Sequence, residues 1–170
     1  MDTGNILYAR RGDLVALKFV GRIGFAQGGS RHLLASLNTF LNGLFEAGDV
    51  RYFLVDLTEA SGIDSTGLGL LAKITKHTIQ RFSRKAILLT MTEDMERILE
   101  SMGFHAVFLI IHGPPEQCTD LTSLPEVEES DREWACTVLA AHKELCALNE
   151  ANRETFRGVV DTLEDALEHR

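Results

Sequence analysis

Proline is scarce in this chain, with three in 170 residues, and tryptophan scarcer still, with one. Pro114, Pro115 and Pro125 lie close together, so the stretches on either side are free to form uninterrupted strands and helices. Cys118, Cys136 and Cys146 make neither a Cys-x-x-Cys pair nor an even set. That pattern argues against a disulfide framework and suits free thiols in a reducing compartment. No apolar run approaches the roughly 20 residues of a membrane span, and Met1 to Gly12 lacks the apolar core of a signal peptide. A soluble, cytoplasmic protein with no membrane partner is the expectation.

Basic excess is also missing. The formal net charge is −8. Residues 1–125 hold 12 Lys and Arg against 13 Asp and Glu, whereas residues 126–170 hold 5 against 12. Without a basic stripe to release counterions, nucleic acid is not expected as a partner. The charge also divides the chain into a nearly neutral body and an acidic tail. At this length the body has material for one core.

Within the body, Ile6 to Arg10 and Leu14 to Val20 are short runs of strand-forming residues separated by Arg11-Gly12-Asp13, the pattern of a hairpin. After a loop over Gly21 to Gly29, Ser30 is positioned to cap a helix. Leu33, Leu37, Phe40, Leu41 and Leu44 form its buried face, and Gly48-Asp49 ends it. Arg51 to Leu57 has the continuous apolar centre of a strand covered on both faces. A helix over Thr66 to Phe82, a strand over Ala86 to Leu89, a helix capped by Thr92 and ended by Gly103, and a strand over Ala106 to Ile111 complete the body. The order ββαβαβαβ predicts an α/β fold, a mixed sheet backed by helices. The expected division is a domain over 1–112, a linker or wrapped loop over 113–125, and an acidic amphipathic helical extension over 126–170.

The extension carries an apolar seam through Trp134, Val138, Ala141, Leu145, Leu148, Asn152, Phe156, Val160, Leu163 and Leu167, with spacings of three and four. Such spacing predicts a long helix, or a helix pair broken near Asn149 or Gly158. Its seam either folds back on the domain or serves self-association or partner capture.

The stretch Gly62-Ile-Asp-Ser-Thr-Gly-Leu-Gly69 joins a strand to a helix and carries two hydroxyls. It has the glycine spacing of a P-loop, but Leu68 and Gly69 stand where Lys and Ser or Thr would contact phosphates and magnesium, so nucleotide hydrolysis is not supported. It also has one residue too many before the serine for a nucleophile elbow, and none of the six histidines is assignable as a base. Neither a metal-spaced cluster nor paired catalytic carboxylates can be placed, so no enzyme, metal or cofactor is expected. Two readings remain for the hydroxyls. Asp64 or Ser65 caps the helix while Gly67 and Gly69 permit close helix-to-sheet packing, or a hydroxyl at this positive helix end receives a phosphate.

Asp56-Leu-Thr-Glu-Ala-Ser-Gly-Ile-Asp-Ser-Thr-Gly-Leu-Gly69 resembles the signature of the STAS-domain anti-sigma factor antagonists, and Thr92 to Phe104 is similar to their third helix and its exit. The resemblance covers about Ile6 to Ile111. It implies a STAS-like sheet and a partner-switching function, in which the unphosphorylated chain binds a serine-kinase anti-sigma factor and frees a sigma factor. Phosphorylation reverses this, and a PP2C-type phosphatase, or a response regulator carrying one, restores binding. On that resemblance Ser65 is the phosphorylation site, with Thr66 the second choice. Asp64, Thr66, Gly67, Leu68 and Gly69 form the partner-binding edge together with Arg22 and Gly24. Arg22-Ile23-Gly24 departs from the family pattern, where an aspartate often stands near the phosphorylation site. The tail resembles proteobacterial antagonists that control a stress sigma factor. The competing expectation is an unmodified STAS scaffold or adaptor, such as a partner of an ABC-type ATPase, or a module that binds a small ligand.

Overall fold

The structure, a computed structural model, describes residues 4–24, 30–114 and 120–169. The expected cap by the Ser30 side chain, residues 25–29 of the loop expected over Gly21 to Gly29, and Cys118 lie outside the described part. The elements are β1 (Asn5–Arg11), β2 (Leu14–Ile23), α1 (Ser30–Ala47), β3 (Tyr52–Ile63), α2 (Ser65–Phe82), β4 (Ala86–Thr90), α3 (Glu93–Ser101), β5 (Phe108–His112), β6 (Thr122–Ser123), α4 (Asp131–Cys146) and α5 (Glu150–Glu168). A short 3₁₀ turn, Phe104–Ala106, follows Gly103, whose φ of 79° suits glycine. The ββαβαβαβ order of the body is as its sequence predicts.

Six strands form one sheet in the order β5-β4-β3-β2-β1-β6. β1 pairs antiparallel with β2 and β6, while β2 to β5 run parallel. Because each crossover from β2 to β3, β4 and β5 steps in the same direction, right-handed connections put α1, α2 and α3 on one face. Alternating residues of the strands fill that face: Val15, Leu17 and Phe19 of β2, and Phe53, Val55 and Leu57 of β3, are all buried. From α1 and α2, Leu34, Leu37, Leu41, Leu70, Leu71 and Ile74 meet them in one continuous core.

One feature departs from the sequence-based expectation, and two others bear on alternatives that it left open. β3 does not stop at Leu57 but runs on to Ile63, held by continued pairing with β2 through two register shifts. This extension carries the opening of α2 past the end of Asp56 and sets it beside Ile23, so the backbone N–H of Asp64 donates to Ile23 O at 2.9 Å. The 113–125 segment is not a free linker. It contains β6, which adds to the far edge of the sheet, with Leu7 opposite Ser123 and Tyr8 opposite Thr122. Finally, the extension is a pair of helices. The break falls at Ala147 to Asn149, where Asn149 Oδ1 accepts the Asn152 N–H at 2.8 Å as a helix cap, and Gly158 lies inside α5.

The helix pair packs back on α2. Trp134, Ala141, Leu145 and Phe156 join the main core. Asn152, a polar residue of the seam, is buried and donates to Met102 O at 2.9 Å and Leu145 O at 3.0 Å, which ties the start of α5 to both α3 and α4. Replacing it removes two bonds and leaves two carbonyls short of a partner. We expect Asn152→Leu to lower unfolding free energy by about 1–3 kcal/mol in urea titrations.

His77 supplies a pH dependence. Its ring stacks on Phe45 with centroids 4.1 Å apart, and its Nε2 is buried without a partner. Burial, then the nearby Arg81, push its pKa below the ordinary 6.5. The unfolded chain therefore takes up this proton before the folded chain does, and the contribution is present above pH 6.5 and lost as pH falls below it. Urea midpoints between pH 7.5 and 5 should fall more steeply for the natural chain than for His77→Gln.

Candidate functional site

Asp64 organises the site. Its carboxylate Oδ1 accepts the Gly67 N–H at 2.9 Å, and its backbone carbonyl accepts the Leu68 N–H at the same distance. Of the two capping residues the sequence allows, Asp64 is the one that caps. Its negative charge stands at the positive end of α2, where it is favoured. Ser65 is then the first residue of α2, half-buried at the carboxyl ends of β2 and β3, and Thr66 behind it is buried at 5 % exposure. The carboxyl ends of parallel strands are where α/β sheets usually present their functional groups.

Arg22 and Gly24 come to the same place. Arg22 pairs across the sheet with Gly62, and Ile23 with Ile63. A Cβ on Gly62 would lie 3.7 Å from Arg22 Nε, so the exposed guanidinium runs along the end of β3 that leads to Ser65. A Cβ on Gly24 would stand 3.3 Å from Asp64 Cβ and 3.4 Å from its Oδ2. Gly24 thus abuts the Asp64 carboxylate, and an acidic side chain there would set two negative charges together.

Gly67, Leu68 and Gly69 are all buried. The two glycines serve different neighbours. A Cβ on Gly67 would meet the Ile63 side chain at 2.7 Å, which is the tight packing against the sheet that the sequence suggests. A Cβ on Gly69 would sit 2.2 Å from the Ala141 carbonyl oxygen, so this glycine lets α4 lie directly on α2. The surface expected as a partner-binding edge is therefore occupied by the chain's own extension.

The contact that sequence reasoning missed is between Ser65 and His142. Ser65 Oγ lies 2.9 Å from His142 Nε2, and His142 Nδ1 lies 2.7 Å from Val138 O. A carbonyl only accepts, so Nδ1 carries the proton and Nε2 offers its lone pair to the Ser65 hydroxyl, which donates. The imidazole is buried and packs edge-on against Phe156 of α5 with centroids 5.3 Å apart. His142 follows the seam residue Ala141 and stands four after Val138 and three before Leu145, so its place on the packed face was the available signal. Seventy-seven residues of separation from Ser65 hid the partner.

Chemically, a neutral imidazole at this distance can take the hydroxyl proton when Ser65 attacks an electrophile. Its outer nitrogen is held by a backbone carbonyl where an acyl-transfer triad has a carboxylate. Among the described residues no cluster of His, Cys, Asp or Glu could hold a metal ion, and no helix is long and apolar enough to cross a membrane.

Further polar ties fix α4 above the site. Lys76 of α2 bridges to Glu144 at 3.0 Å. Arg31 of α1 bonds Asp131 at 2.9 Å and Glu129 O at 3.0 Å, with its guanidinium over the Trp134 ring. Lys73 of α2 donates to Asn38 and Asn42 of α1; burial lowers its pKa first, with Glu144 of α4 opposing. Exposed pairs of this kind each contribute little alone.

These features define a class: a single parallel-edged α/β sheet that presents a capped hydroxyl at a helix start. Residues 14–115, more than half of the chain, match the STAS domain family model, and the chain belongs to that family. Among solved structures, the fold is similar to that of the anti-sigma factor antagonist SpoIIAA in its unphosphorylated form, at 16% identity, a TM-score of 0.50, and coverage of 64% of this chain and 87% of that one. The Bacillus cell fate determinant SpoIIAA in the phosphorylated form gives 16% identity, the same TM-score, and 64% and 89% coverage. An anti-sigma factor antagonist from Mycobacterium paratuberculosis gives 15% identity, a TM-score of 0.48, and 64% and 86% coverage. No curated protein sequence matches the chain.

The cap can be tested by itself. Asp64→Ala leaves the Gly67 N–H without its acceptor and should cost about 1 kcal/mol of stability by chemical denaturation, whereas Asp64→Asn should retain most of it.

Proposed function

We propose that this protein is an anti-sigma factor antagonist of a partner-switching pathway, acting in the cytoplasm, with Ser65 as its phosphorylation site. In this reading the unphosphorylated chain binds a serine-kinase anti-sigma factor and so releases a sigma factor. Phosphorylation of Ser65 ends the binding, and a PP2C-type phosphatase, alone or within a response regulator, restores it. The chain itself catalyses nothing. Asp64, Thr66, Gly67, Leu68 and Gly69, with Arg22 and Gly24, make up or border the docking edge.

The observation that carries this reading is the placement of Ser65. It is the half-buried first residue of a helix whose start is capped by its neighbour, at the carboxyl edge of a STAS sheet, and the adjacent Thr66 hydroxyl belongs to a buried residue. A phosphate on Ser65 would meet the positive end of α2 and stand beside the Asp64 carboxylate, changing both the charge and the shape of that edge. Arg22, exposed beside Gly62, is the nearby cation of the edge through which the phosphate or an acidic partner would be recognised. The folds of SpoIIAA in unphosphorylated and phosphorylated forms add support at the level of architecture. With the apolar face of α4 packed in cis, self-association through the C-terminal extension would use the outward side of α5, where Val159 is exposed.

The test is capture of partners from native extracts on the full chain, prepared as Ser65→Ala and with phosphoserine at position 65. The Ser65→Ala chain should retain a protein with a serine-kinase domain at least about tenfold better than the phosphorylated chain, a ratio equal to about 1.4 kcal/mol. Equal retention of a partner by both forms, or capture of a transport ATPase in place of a kinase, would contradict the proposal and favour a scaffold.

A further inference from the structure

We propose that the α4–α5 hairpin is a displaceable cover over Ser65, and that a phosphate on Ser65 forces it open. The inference deepens the assignment of Ser65 as a phosphorylation site and rests on it. Four observations converge on the same contact.

The first is occupancy. His142 Nε2 stands 2.9 Å from Ser65 Oγ, so the half-buried hydroxyl that would carry the phosphoryl group already has the imidazole against it. The second is polarity. Nδ1–H is committed to Val138 O, so Nε2 is an acceptor matched to a hydroxyl that donates. A phosphoserine dianion has no proton to give and adds three acceptor oxygens with about −1.5 to −2 charges. The hydrogen bond from the hydroxyl to Nε2 is then lost.

The third is the lack of retreat. His142 is 4 % exposed and its ring is backed by Phe156 of α5. The preceding residue, Ala141, rests on Gly69 so closely that even a methyl group on that glycine would fall 2.2 Å from the Ala141 oxygen. The ring is thus held between α2 and Phe156 of α5, so an added phosphate would press on both helices of the hairpin. Interiors packed in this way respond by switching arrangement.

The fourth is separability. The six-stranded sheet and α1 to α3 form the core without the hairpin's help at the strands, whereas the hairpin is held to the helical layer by α2 packing and by the ties of Lys76 to Glu144, Arg31 to Asp131, and Asn152 to Met102 O. Lifting it uncovers Gly69 and the Ser65 hydroxyl, part of the edge at which a partner would dock. Before modification the hairpin and the partner therefore compete for one surface. After modification the phosphate keeps the hairpin off and itself stands on the partner's surface, so the edge is uncovered but altered in charge and shape.

The position of α4 has a natural reporter, since Trp134 is the only tryptophan and is buried under Arg31 in the closed form. Phosphoserine is introduced at position 65 of the full chain during synthesis, which needs no kinase. Hydrogen exchange and Trp134 emission are then compared with the unmodified chain and with Ser65→Ala. The expected result is at least about tenfold faster exchange of the α4 amides and a red-shifted Trp134 emission in the phosphorylated chain only, with β2 to β4 as protected as before. Unchanged α4 protection and emission would overturn the inference, because His142 would then be holding the phosphate with the cover in place. Loss of protection in α4 and the sheet together would overturn it as well, because the hairpin would not be a separable element. A negative result leaves Ser65 standing as a phosphorylation site, and absence of phosphate on Ser65 in cells would not alter what this experiment reads.

Discussion

The Asp64 cap is the interaction on which the arrangement depends. One residue closes three elements: its N–H holds β2 through Ile23 O, its position ends β3, and its carboxylate starts α2 through the Gly67 N–H. With the start of α2 fixed at the sheet edge, Ser65 is presented at one angle and the rest of the helix is aimed so that Gly69 faces outward to receive α4. Displacing that start by one position would turn α2 by about 100° and remove the glycine from the α4 contact.

The α4 contact in turn decides what the site can do. In a STAS domain without this extension, the edge formed by the start of α2 would face solvent. Here the acidic tail supplies a buried histidine, and the Ser65 hydroxyl is satisfied inside the chain. The structure thereby joins two parts that charge alone separates, a nearly neutral body and an acidic tail. The hydroxyl is at once the group proposed to be modified and the group that helps hold the tail down, so chemistry at Ser65 is coupled to the packing of α4.

How much of this could be read from the sequence depends on the range of the interaction. Elements with local signals were readable: the turn at Arg11-Gly12-Asp13, the buried stripe of α1, the Thr92 cap of α3 confirmed by the Met95 N–H at 3.2 Å, and the Asp64 or Ser65 start of α2. Elements defined by pairing with distant chain were not. Thr58 to Gly62 has a turn-like composition, yet stays in β3 because β2 runs alongside it. Thr122–Ser123 has no apolar alternation and is a strand only because β1 offers an open edge. The break at Asn149 was one of two candidates, and the choice is made by Asn152 reaching Met102 O and Leu145 O, bonds that spacing cannot reveal. His142 belongs with these: its position on the seam was visible, but its partner was not.

The central claim is that Ser65, placed by the Asp64 cap, is the group through which the cell controls this protein. Intact mass and peptide sequencing of the protein taken from its native cells, growing and stressed, address it most directly. The account predicts a single phosphoryl group, on Ser65, whose occupancy changes between the two conditions. No phosphate on Ser65 under any condition, or constant occupancy through the change, would contradict it.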